Sequence, residues 1–101
     1  MKKIINGRKY DTETAECVGY MKSGHNYSDF GYYSESIYKK RTGEFFLYGE
    51  GGPLSPYAKS VGRDRMGGEA IIPLTEEEAK RWCEENISVS EYEAIFGGVE
   101  E

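Results

Sequence analysis

One histidine, two cysteines and three prolines in 101 residues leave little material for catalysis, metal binding or disulfide bracing. With His25 alone, no Ser/His/Asp or Cys/His set can be argued from spacing. A structural zinc site needs four well-spaced ligands, which two cysteines and one histidine do not supply. No catalytic residue, no metal and no cofactor is therefore expected. Cys17 and Cys83 are too few for a disulfide framework and read as reduced core thiols. No apolar run approaches the length that crosses a bilayer, and Met1-Lys2-Lys3-Ile4-Ile5-Asn6 lacks a signal-peptide core. The expectation is a soluble, cytoplasmic protein with a single domain over residues 1–101, without membrane association.

What is abundant is charge and tyrosine. Net charge is −5, and it is unevenly placed. Residues 1–68 carry eleven Lys/Arg and eight Asp/Glu, giving +3, whereas residues 69–101 carry two and ten, giving −8. Such asymmetry creates a strong dipole when the two parts occupy different faces, and an acidic face attracts basic protein surfaces while repelling nucleic acid. Nine tyrosines exceed what so small a core can use, so several are expected at the surface.

The local signals are those of an α+β fold. Ile4-Ile5 leads through Asn6-Gly7, the dipeptide best suited to a type I′ turn, into Arg8-Lys9-Tyr10 as a hairpin. Asp11 reads as the cap of a short N-terminal helix over Thr12 to Val18, with Gly19 stopping it and Tyr10–Ala15 as its staple. Residues 20–34, rich in Tyr, Ser, Gly and Asn, read as a loop or an irregular edge. Glu35 to Arg41 and Glu44 to Gly49 are two strands around Thr42-Gly43, the second with aromatics on both faces, as expected of a central strand covered on both sides or of one face used for binding. Residues 49–68 read as a long glycine-rich loop with one helical turn near Tyr57 to Ser60, and Ala70-Ile71-Ile72 as a further strand. Two capping boxes inside staples, Thr75 to Glu78 and Ser88 to Glu91, start two amphipathic helices. Their inward stripes are Ala79, Trp82, Cys83 and Val89, Tyr92, Ile95, Phe96, and Gly97 ends the second. The predicted architecture is a small antiparallel sheet of three to five strands, packed by two C-terminal helices and one short N-terminal helix.

Candidate sites follow from the same residues, each beside a plainer reading. His25 sits in a Gly/Tyr/Ser loop as an exposed histidine with no partner in view. Gly49-Glu50-Gly51-Gly52-Pro53 follows a strand like a phosphate-binding loop. It lacks the Lys-Ser/Thr, and Glu50 would repel phosphate; a tight turn needing positive φ explains the glycines better. Lys39-Lys40-Arg41 beside Tyr38, Phe46 and Tyr48, together with Arg63 and Arg65, form an alternative anion-binding set. The acidic balance makes direct nucleic-acid binding the weaker expectation. On the helix over 76–86, Glu76–Lys80 and Glu77–Arg81 are self-pairing, while Glu77, Glu84 and Glu85 point outward. With Glu91 they form an anionic row that, joined by Tyr32 and Tyr33, is the expected partner-binding surface. The Phe45 to Tyr48 strand, apolar on both faces, would also serve as the edge of a homodimer.

Three runs carry a family resemblance: Ile5-Asn6-Gly7-Arg8-Lys9-Tyr10-Asp11-Thr12-Glu13-Thr14-Ala15, Arg41-Thr42-Gly43-Glu44-Phe45-Phe46-Leu47-Tyr48-Gly49-Glu50-Gly51-Gly52 and Ile72-Pro73-Leu74-Thr75-Glu76-Glu77-Glu78-Ala79. Together they resemble small proteins carried by phages and mobile elements of Gram-positive gut bacteria, a type of protein associated with anti-CRISPR inhibitors of Cas9-type nucleases. The resemblance implies residence in a bacterial host cell and brings no established functional residues. The function expected from it is a non-enzymatic, protein-binding inhibitor that engages a basic, nucleic-acid-handling protein. The alternative is a small nucleic-acid-binding or accessory protein of a mobile element, acting through the basic hairpin and the Arg63/Arg65 loop.

Overall fold

A computed structural model describes all 101 residues. A hairpin of β1 (Lys2–Ile5) and β2 (Arg8–Asp11) turns through Asn6 at φ 52° and Gly7 at φ 76°, the left-handed pair that a type I′ turn requires. The central sheet is antiparallel, in the order β3 (Glu16–Lys22), β4 (Tyr33–Lys39), β5 (Phe45–Gly51), β8 (Gly68–Leu74). A second small hairpin, β6 (Lys59–Val61) with β7 (Asp64–Met66), lies between β5 and β8 in sequence and is exposed throughout. Two helices close the chain, α1 (Glu76–Asn86) and α2 (Val89–Phe96). The radius of gyration is 14.8 Å, above the roughly 13 Å of a compact chain this long. No helix is long and apolar enough to cross a membrane.

Alternation along β4, β5 and β8 divides the core in two. On one face Ile37, Phe45 and Leu47 pack with Ala79 and Cys83, under Val18, Leu74, Trp82, Ile87, Tyr92, Ile95 and Phe96. On the other, Tyr10, Phe46 and Ile71 form a smaller cluster with Ile5, Ala15, Tyr38 and Tyr48. Tyr10 meets Phe46 edge-on at 5.5 Å and Tyr38 stacks on it at 5.2 Å. The N-terminal hairpin thus covers only the part of this face around Phe46. Both helices begin with complete capping boxes, Thr75 with Glu78 and Ser88 with Glu91, and α2 ends on Gly97 at φ 92°.

Several expectations are corrected. The N-terminal helix over Thr12 to Val18 is absent. Asp11 does cap a turn, accepting from the Glu13 N–H at 2.9 Å while the Ala15 N–H donates to its carbonyl. That turn is not continued, because Glu16 onward pairs with β4 and a whole strand of ladder bonds outweighs one helical turn. Gly19 does not stop a helix; a Cβ there would lie 2.9 Å from Ile37 and 3.3 Å from Trp82, and β3 carries a bulge between Cys17 and Gly19. The irregular segment shrinks to 23–32, and the long loop is interrupted by the β6–β7 hairpin. Gly49, Gly51 and Gly52 do not have positive φ. They are glycines because a Cβ would overlap the Tyr57 ring, the Ser55 hydroxyl and, at 2.6 Å, the Phe30 carbonyl. Cys17 is exposed on the edge strand, while Cys83 is fully buried. Val89 is exposed rather than part of the buried stripe. The Phe45 to Tyr48 strand is central, paired on both sides, and so offers no edge to a second copy.

Gly49→Ala is expected to lower stability by about 3 kcal/mol, since Tyr57 must be displaced from the sheet. Gly24→Ala, with open space around it, should change stability by less than about 0.5 kcal/mol. Urea unfolding of the two variants checks both.

Candidate docking groove

At the end of the sheet not covered by the N-terminal hairpin, side chains of the second face are left open. The register places Tyr20, Ser36, Tyr48 and Ile71 in one row across the four strands, and Lys22, Ser34, Glu50 and Glu69 in the next. Tyr48 buries its ring edge in the smaller core cluster and extends its hydroxyl toward both carboxylates, 2.6 Å from Glu69 Oε2 and 3.1 Å from Glu50 Oε2. A phenol has a single proton and donates to one carboxylate at a time. Burial, followed by these two carboxylates, pushes the Tyr48 hydroxyl pKa well above its usual range.

Beside this row the chain folds into a groove of about 490 Å³, lined by Tyr27, Tyr32, Asp29, Glu50, Glu69, Lys59 and four glycines, Gly51, Gly52, Gly67 and Gly68. Its walls are pinned by main-chain bonds. The Gly52 N–H donates to the Tyr32 carbonyl at 2.9 Å and the Leu54 N–H to the Phe30 carbonyl at 2.9 Å. The glycines are necessary because the two loops cross at van der Waals distance; a Cβ on Gly67 would sit 2.7 Å from the Gly51 carbonyl oxygen. Tyr27 and Tyr32 stack obliquely at 5.2 Å. The Tyr32 phenol is raised in pKa, first by the adjacent Tyr20 hydroxyl, then by burial and the surrounding negative groups. Asp29 is occupied locally, accepting from the Gly31 N–H and lying 3.6 Å from His25, so the histidine has a partner that spacing alone did not reveal. Glu50 and Glu69 have no Lys or Arg within ion-pair distance.

The opposite, helix-side face holds the groove in shape. Glu35 of β4 accepts from Trp82 Nε1 at 2.9 Å and from the Tyr57 hydroxyl, which lies across Gly49. Burial, then Glu35, raises the Tyr57 pKa strongly. Burial also pushes the Cys83 thiol from 9.0 up to about 11.

The expected site residues are only partly brought together. Tyr32 lines the groove, but Tyr33 turns to the other face and packs 6.4 Å from the Tyr57 ring. Glu77, Glu84 and Glu85 are exposed on α1, which packs on the other side of the sheet from Glu50 and Glu69. Glu91 is engaged in the α2 capping box, and hydrogen bonds from Ser88 hold its carboxyl below the usual range. Glu76 pairs with Lys80 at 3.9 Å, whereas Glu77 and Arg81 form no ion pair. Arg63 sits in the β6–β7 turn, and Arg65 donates to the Pro53 carbonyl at 3.1 Å. They lie near the Gly51 end of β5, whereas Lys39 to Arg41 follow the other end of β4, about 20 Å away along the strand. Lys40 is further engaged over the Tyr10 ring and near Glu44. The basic residues do not form one footprint. The expected partner-binding surface omits Glu50 and Glu69, and Tyr48 enters the sequence reading only beside the basic hairpin, although the alternation Tyr48-x-Glu50 places both on one face. No group of His, Cys, Asp and Glu is arranged to hold a metal ion. Comparison with protein-family models, curated proteins and solved structures yields no match.

The perturbed groups fix how stability depends on pH. Tyr48, Tyr57 and Cys83 have raised folded-state values, so their stabilisation is complete below the unfolded values and is lost as pH rises through the folded ones. Glu78 and Glu91 are lowered from 4.5 by their cap hydrogen bonds, so their share is present above 4.5 and lost as pH falls below it. Urea midpoints measured from pH 3 to 11 should hold level between about 5 and 9 and fall on both sides.

Proposed function

We propose that this protein is a non-enzymatic, protein-binding inhibitor that docks on a basic, nucleic-acid-handling partner, of the anti-CRISPR kind its sequence resembles. The observation that carries the reading is the open end of the sheet. Glu50 and Glu69, neither with a Lys or Arg within ion-pair distance, line one concave surface there with tyrosine rings; Lys59 shares that surface without pairing them, while Arg65 is engaged by the Pro53 carbonyl and Lys40 by Tyr10 and Glu44. Tyrosine gives contact area at low entropy cost, and uncompensated carboxylates give complementarity to a basic surface. The exposed α1 row of Glu77, Glu84 and Glu85 adds long-range attraction rather than contact, because it lies on the other side of the sheet. The alternative, nucleic-acid binding through Arg63, Arg65 and the basic hairpin, has no such convergence behind it.

The two acidic surfaces then differ in kinetics. With a purified Cas9-type effector as partner, Glu50→Lys with Glu69→Lys should raise the dissociation rate by at least about tenfold. Changing Glu77, Glu84 and Glu85 together to Lys should mainly slow association and flatten its salt dependence. Target-DNA cleavage with the protein added before or after guide RNA shows whether binding inhibits and at which step. An effector that neither binds the protein nor loses cleavage activity removes this partner class. A gel shift abolished by Arg63→Ala with Arg65→Ala would favour the alternative.

A further inference from the structure

Glu50 and Glu69 stand directly opposite one another on neighbouring strands, and their Oε2 atoms share one phenolic hydroxyl. Like charges in directly opposed positions destabilise a sheet, and the single Tyr48 proton relieves only one of them at a time. Lys59 lines the same groove and Lys22 lies in the same row, yet neither reaches ion-pair distance. This end of the face therefore has two carboxylates side by side, hydrogen-bonding capacity unspent, and no cation within ion-pair distance of either. Tyr27 and Tyr32 stand over it as an aromatic wall, and Tyr27 and Tyr20 are largely exposed. The glycine floor leaves the volume empty of side chains.

Resting on the docking reading above, we infer that the groove takes one arginine side chain of the partner, its guanidinium bridging Glu50 and Glu69 and its plane lying against one ring of the tilted Tyr27–Tyr32 pair. The arrangement fits arginine better than lysine. Two acceptors held side by side match the planar, multi-donor fork of a guanidinium, while an ammonium is a point donor with a firmer hydration shell. Guanidinium also stacks on aromatic faces, which the tilted tyrosine pair presents. Bridging both carboxylates lets the Tyr48 proton remain with either without leaving the other uncompensated. The cross-strand repulsion is then a feature relieved on binding, not a packing requirement of the free fold.

The test uses the whole chain, labelled with ¹⁵N, and the uncharged-terminus tripeptides acetyl-Gly-Arg-Gly-amide and acetyl-Gly-Lys-Gly-amide at low salt. Arginine peptide should shift the amide signals of Gly51, Gly52, Gly68 and Glu69, with at least about tenfold weaker binding for the lysine peptide. In Glu50→Gln with Glu69→Gln the shifts should vanish, while thermal unfolding moves to higher temperature because the repulsion is gone. That gain keeps the result readable, since a lost shift then cannot come from a lost fold. Equal binding of the two peptides, or shifts that survive in the double variant, overturns the arginine assignment and leaves docking by general charge. Shifts confined to α1 overturn it as well and move the docking surface. An absence of any shift, joined to no binding of polyarginine or polylysine, overturns both this inference and the docking reading.

Discussion

The Glu35 carboxylate, held on the helix side of the sheet by the Tyr57 hydroxyl and the Trp82 indole N–H, ties together parts of the chain that share no other strong bond. A partly buried carboxylate is costly unless donors satisfy it, and these come from two different directions. Tyr57 arrives from the loop after β5, Trp82 from α1. For Tyr57 to reach, its ring must lie flat over the strand, which is why position 49 has no side chain. Once Tyr57 is placed, Ser55 falls against Gly51, and the loop's start meets Phe30 and Tyr32 through main-chain bonds. The groove on the far side is what remains when these loops are drawn to the helix side. Stability on one face thus shapes the surface offered on the other.

The two faces divide the aromatic residues by task. Phe45 tilts against Phe96 at 5.4 Å and Lys80 covers Phe96 at 5.6 Å, which seals α2 onto the sheet although none of its residues is fully buried. Phe46 is fully buried under Tyr10 and Tyr38. Tyr33, Tyr57 and Tyr92 pack on the helix side, and the remaining four, Tyr20, Tyr27, Tyr32 and Tyr48, line the open end beside Glu50 and Glu69. A core this small cannot absorb nine tyrosines, and the surplus gathers where charge is uncompensated. Such surfaces give up some stability of the free chain in return for a partner that completes them.

Local grammar was legible in the residues, and non-local contact was not. Asn6-Gly7, the two capping boxes and Gly97 act within a few residues of themselves, and all four signals match the structure. The Asp11 cap was equally local and equally real, yet its helix lost to strand pairing with β4, a competitor that lies more than twenty residues away in the chain. Gly19 and Gly49 look like punctuation in the sequence, because glycine there shows its freedom, not the side chain that needs its space. The acidic row on α1 was visible from helical periodicity. The acidic pair in the groove was not, because Glu50 and Glu69 meet only through the β5–β8 register, with a hairpin inserted between them.

Amide hydrogen exchange on the wild type and Glu35→Ala tests most directly whether Glu35 holds the loops that form the groove. The Trp82 indole N–H and the Gly52 and Leu54 amides should lose protection together, by about tenfold or more, while the Glu78 amide in the α1 cap keeps its protection. Unchanged protection at Gly52 and Leu54 in the variant would show that the loops hold their places without Glu35, and would contradict the account.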